Sequence, residues 1–76
     1  METRHYNYTV ILEPEEGGGY HAFVPALRGC LTQGDTIEQV LERVQEAIEV
    51  YLASLRMEGE SIPVEDYIIT WVKANS

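Results

Sequence analysis

Between Gly34 and Gly59 the apolar residues Ile37, Val40, Leu41, Val44, Ala47, Ile48, Tyr51, Leu52 and Leu55 recur at three- and four-residue intervals. That spacing gathers side chains on one stripe of an α-helix, whereas a strand would scatter them over both faces. Both ends of the stretch are marked. Asp35 and Thr36 offer N-cap oxygens, and Asp35-x-x-Glu38 and Thr36-x-x-Gln39 both have capping-box spacing, so either residue is a candidate cap. At the far end Gly59 suits the left-handed turn that stops a helix, and Pro63 opposes continuation. About 22 residues at ~1.5 Å rise make a rod of roughly 33 Å. A rod with one apolar stripe needs a surface to lie on, and the rest of the chain reads as sheet.

Taken in order, His5 to Glu13 is rich in β-branched and aromatic residues, with Tyr6, Tyr8, Val10 and Leu12 alternating onto one face, which predicts a first strand. Pro14 to Gly19 has the composition of a hairpin turn, and Tyr20 to Val24 follows as the second strand. The glycines at 17–19 run into a strand with no Lys nearby, so a hairpin tip accounts for them better than a phosphate cradle, which needs a helix N-terminus. Pro25 ends the ladder, and Leu31 to Gln33, with or without Cys30, is a short third strand. After the helix, Glu60 to Asp66 is a connector, Tyr67 to Val72 is a fourth strand apolar on both faces, and Lys73 to Ser76 is a polar tail. The order β-β-β-α-β makes an α+β fold in which one helix covers one face of the sheet. Tyr8, Val10, Leu12, Ala22 and Val24 should lie under the helix, with Ile11 and Phe23 on the other face. Ile11, Phe23 and Trp71 are therefore the candidates for self-association, as a homodimer or tetramer.

Length supports the same expectation. A chain of 76 residues reads as a single domain, 1–76 with its core over about 5–72, and buries little more than ~60% of its unfolded surface. Such domains commonly gain core from a metal, from disulfides or from a partner. With the single cysteine Cys30 an internal disulfide and an all-cysteine metal cage are excluded, and a reducing compartment is expected. No stretch has the apolar core of a signal peptide or the ~18 apolar residues of a membrane span, so a cytoplasmic protein off the membrane is expected. Thirteen acidic against five basic residues give a net charge of −8. That charge repels a nucleic-acid backbone and attracts a basic protein.

Few residues suggest chemistry. His5 and His21 on adjacent strands, with Glu13 or Glu15, form an incomplete metal set, because no third ligand is placed by a motif. A two-metal nuclease needs converging carboxylates, and the first strand offers only Asn7 and Glu13. Cys30 has no partner base in any motif and reads as a small core residue. No catalytic, cofactor or metal residue is assigned. Glu38, Glu42, Glu46 and Glu49 form an acidic side on the helix, which serves either solvation or a basic partner.

Several stretches together, Tyr8-Thr9-Val10-Ile11-Leu12, Gly18-Gly19-Tyr20, and Pro25-Ala26-Leu27-Arg28-Gly29-Cys30 leading through Gly34-Asp35-Thr36 into the acidic helix, resemble the HicB-like antitoxin family. The resemblance spans roughly Tyr6 to Pro63, and its most specific part is Pro-x-Leu-x-Gly-Cys followed by Gly-Asp-Thr at the cap. It implies a truncated ribonuclease H-type fold, a four-stranded mixed sheet of order 3-2-1-4 with the last strand parallel to the first. The implied function is non-enzymatic: binding and blocking a small basic RNA-cleaving toxin of the HicA type. Pro25, Leu27, Arg28, Glu38, Glu42 and Glu46 are the candidate partner-binding residues. Ala26 stands where many members carry an acidic residue, so that carboxylate's contact is not expected here. Many members also continue into a DNA-binding domain, which is not expected in a chain ending at Ser76. The alternatives are a solitary regulatory or ligand-binding domain without a toxin, and a metal-dependent nuclease.

Overall fold

The computed structural model describes residues 6–76, and His5, one half of the suggested histidine pair, lies outside them. Three short strands, β1 (Ile11–Pro14), β2 (Tyr20–Phe23) and β3 (Leu31–Gly34), precede one helix, α1 (Ile37–Met57). The strands form an antiparallel sheet in the order β1-β2-β3. Leu12 pairs with Ala22 and Ala22 with Thr32, so these side chains share one face, while Ile11, Phe23 and Leu31 share the other. The helix covers the first face. Ala22, Val24, Leu27, Cys30, Val40, Val44 and Leu52 form the buried core, flanked by half-buried Tyr8, Val10, Leu12, Ala47, Ile48, Tyr51 and Leu55.

The caps follow from local chemistry. Thr36 is the N-cap, its Oγ1 accepting from the Gln39 N–H at 3.1 Å, and the Gln39 side chain reaches back to accept from the Asp35 N–H at 2.7 Å. This reciprocal pair satisfies two otherwise orphaned donors. At the other end Gly59 has φ +72°, and the N–H groups of Gly59 and Glu60 donate to the carbonyls of Arg56 and Leu55. That is the glycine-terminated helix end in which two trailing carbonyls regain donors.

The sheet is smaller than the sequence predicts. The first strand, expected over His5 to Glu13, begins at Ile11 among the described residues, residues 6–10 carrying no ladder. The register pairs Ile11 with Phe23, so residues before Val10 would face Pro25 and the turn after it, where proline has no N–H to give. The fourth strand is absent among the described residues: Tyr67 to Val72 has no ladder partner, and the order 3-2-1-4 with a parallel strand beside β1 is not formed. Propensity marked the segment correctly as apolar and β-branched. A strand exists only where a neighbour completes its hydrogen bonds, and here none does.

Gly19 connects the hairpin to the helix cap. Its φ is +82°, and a Cβ there would stand 2.9 Å from the Gly34 carbonyl oxygen, so the hairpin tip approaches the end of β3 as closely as a bare backbone allows.

Candidate protein-binding surface

The helix presents two chemically different sides. Val40, Val44 and Leu52 are buried against the sheet, while Glu38, Glu42, Glu46 and Glu49 are all exposed. Among the described residues the one close contact between a carboxylate and a basic side chain is a hydrogen bond between His21 Nε2 and Glu13 Oε1 at 2.8 Å, away from the helix. The helix carboxylates thus carry their charge to solvent, with like charges four residues apart costing a few tenths of a kcal/mol per pair. Arg43, the cation within this stretch, is turned toward the sheet: its Nη1 donates to the Gln33 carbonyl at 2.8 Å.

The loop after β2 divides the remaining candidates. The Leu27 N–H donates to the Val24 carbonyl, the Cys30 N–H to the Leu27 carbonyl, and the Val24 N–H to the Cys30 carbonyl. These consecutive turns roll the loop inward, leaving Leu27 only 1% exposed. Pro25 and Arg28 face solvent. Leu27 is therefore a core residue whose side chain offers no outer contact surface, and Pro25 and Arg28 are what the loop presents. Cys30 is buried as well, and burial pushes its thiol pKa up, which disfavours the nucleophilic thiolate.

The uncovered face of the sheet carries Ile11, 38% exposed, half-buried Phe23, and Leu31, 60% exposed, aligned across the strands. Trp71 is 94% exposed on the C-terminal segment. Among the described residues no group of three His, Cys, Asp or Glu side chains is arranged to hold a metal ion. His21 is engaged by Glu13, not by a second imidazole.

One feature has no local signature in the sequence. Glu65 accepts from the Thr9 N–H through Oε1 and from Thr9 Oγ1 through Oε2, both at 2.6 Å, and the Tyr8 hydroxyl donates to the Pro63 carbonyl at 2.7 Å. The partners are more than fifty residues apart in the chain, so no spacing rule finds them. Hydrogen bonds from Thr9 hold the Glu65 carboxyl below its ordinary pKa. Burial, with Tyr6 nearby, pushes Tyr8 up. Because the folded Glu65 pKa is depressed, the clamp contributes stability above the ordinary carboxylate value and loses it as pH falls through the depressed one. The Thr9 amide resonance should titrate with a midpoint below the ~4.3 of a free glutamate, and Glu65→Gln should abolish that titration. A midpoint at or above the free value would show that the clamp does not form.

A sequence profile described as "HicB_like antitoxin of bacterial toxin-antitoxin system" matches residues 8–76. The chain belongs to the HicB-like antitoxin family. It is 55% identical over 64 residues to a UPF0150 protein of Synechocystis sp., covering 84% of this chain and 81% of that one. A UPF0150 protein of Thermoplasma acidophilum is 48% identical over 56 residues, 74% of this chain and 81% of its own. "Antitoxin HicB 1" of Photorhabdus laumondii is 36% identical over 70 residues, which are 86% of this chain and 45% of that longer protein. This HicB-like chain contains no helix long and apolar enough to cross a membrane among its described residues.

Proposed function

We propose that this HicB-like chain is the neutralising half of a toxin–antitoxin pair. It acts without catalysis in the cytoplasm, binding a small basic RNA-cleaving toxin of the HicA type and covering its catalytic groups so that RNA is excluded. The observation that carries this reading is the row of exposed carboxylates at Glu38, Glu42, Glu46 and Glu49 on a chain of net charge −8 that belongs to an antitoxin family. A toxin that binds RNA must present cations to phosphates, and the same cations are attracted to a carboxylate row. Pro25 and Arg28 extend the contact surface, Arg28 supplying a guanidinium suited to a carboxylate on the toxin.

Co-expression with the product of the adjacent reading frame tests the proposal. The two proteins are expected to co-purify, and the antitoxin to restore growth arrested by its neighbour. Failure of both co-purification and rescue would overturn the reading and favour a regulatory domain that has no toxin.

A further inference from the structure

The C-terminal segment is the most exposed apolar stretch of the chain: Ile68, Ile69, Trp71 and Val72 are 90%, 61%, 94% and 86% exposed. The chain as a whole exposes 6511 Å², whereas a compact monomer of 8.6 kDa exposes roughly 4,700 Å². The subunit also has an open sheet edge. Among the described residues β1 pairs only with β2, leaving its outer edge open. Where the chain enters β1, a groove of about 500 Å³ runs along the helix, lined by apolar Val10, Ile48 and Leu52 and by polar Gln45, Glu49 and Arg56. The helix packs chiefly on β3 and β2, and Leu41, one and two turns before Gln45 and Ile48 on the groove side, remains 44% exposed.

We infer that two copies of this chain exchange their C-terminal segments, residues 67–72 of each adding as a strand to the open β1 edge of the other. A strand at that edge meets the groove of mixed apolar and polar lining on one side and Ile11 with Phe23 on the other. The segment is apolar on both of its own faces, Ile68 and Val72 on one and Tyr67, Ile69 and Trp71 on the other. The β3 edge is the poorer site, because Arg43 already occupies the Gln33 carbonyl. The Glu65 clamp on Thr9 and the Tyr8 bond to Pro63 hold the start of the segment beside β1, while the residues beyond it stand clear of their own sheet. A two-fold exchange gives both open edges a strand and both exposed segments a cover in one arrangement. The occupant is thus a second copy, each segment covering the open edge of the other.

Two chains of net charge −8 repel, so this association tightens as salt rises, opposite to capture of a basic toxin. That difference separates the exchange from the proposed function, on which it does not depend. The test uses the full chain, in light scattering at micromolar concentration in low and high salt. A mixture of two isotope labels then yields nuclear Overhauser contacts between molecules only. A mass of twice 8.6 kDa, with contacts from Trp71 of one copy to Val10 and Ile11 of the other, is the expected result. The double variant Ile69→Lys/Trp71→Lys should weaken the dimer at least a hundredfold while keeping its helical circular dichroism. A monomer, a dimer indifferent to the double variant, or Trp71 contacts confined to one chain would each overturn the proposal. Should the variant fail to fold, the labelled mixture of unmodified protein decides alone.

Discussion

Leu27→Ala is expected to destabilise the domain by about 2–5 kcal/mol, the range for removing a fully buried leucine side chain from a packed core. Leu27 is 1% exposed and packs in the cluster with Val24, Cys30 and Val40. Its loop is fixed by three backbone hydrogen bonds among Val24, Leu27 and Cys30, so the surroundings collapse poorly into the space left behind. Domains of this kind have only ~5–15 kcal/mol in total, so the loss takes a large share of the stability. Urea denaturation followed by far-ultraviolet circular dichroism measures the loss. Arg28→Ala, one residue away and exposed, should fall within ~0.5 kcal/mol of the parent protein. Near-equal midpoints for the two variants would mean that the loop does not turn Leu27 inward.

Reversing charge at Glu42→Lys and Glu46→Lys together should slow association with the cognate toxin by roughly 10- to 100-fold at low ionic strength. Both residues are exposed on the side of the helix away from the sheet. The double variant should therefore keep its fold, and relief of like-charge repulsion with Glu38 leaves the helix as stable or slightly more so. Stopped-flow association rates across a salt series provide the measurement. The parent rate should fall steeply with salt and the variant rate little, the two converging once the Debye length shrinks to a few ångströms. Equal rates at low salt would remove the acidic row from the recognition mechanism and leave the Pro25–Arg28 loop as the contact.

The helix was legible because its information is local. A 3.6-residue apolar period, a capping threonine with glutamine three residues on, and a terminal glycine lie within one stretch of chain. The hairpin and the partition of its faces were legible for the same reason: alternation placed Leu12 and Ala22 under the helix, and Ile11 and Phe23 on the other face. Two properties of the candidate surface were not legible. Leu27 reads as a loop residue beside Pro25 and Arg28, and only the turns that close the loop reveal that it belongs to the core. The fourth strand reads convincingly from Tyr67 to Val72, yet strand propensity expresses suitability for a ladder and cannot supply the ladder's other half.

The sequence by itself determined the elements that close their own hydrogen bonds or pair through a short turn: α1, the β1–β2 hairpin, and the acidic side of the helix set by residue spacing. Tertiary structure alone decided which residues meet across long separations. It placed the Glu65 carboxylate on Thr9, drew Leu27 beneath the helix, and, among the described residues of one subunit, left the outer β1 edge and residues 67–72 out of any ladder. The physical reason is that helix periodicity and turn chemistry act over a few residues. Pairing of distant segments depends instead on the entropy of closing the chain and on which surfaces are already covered.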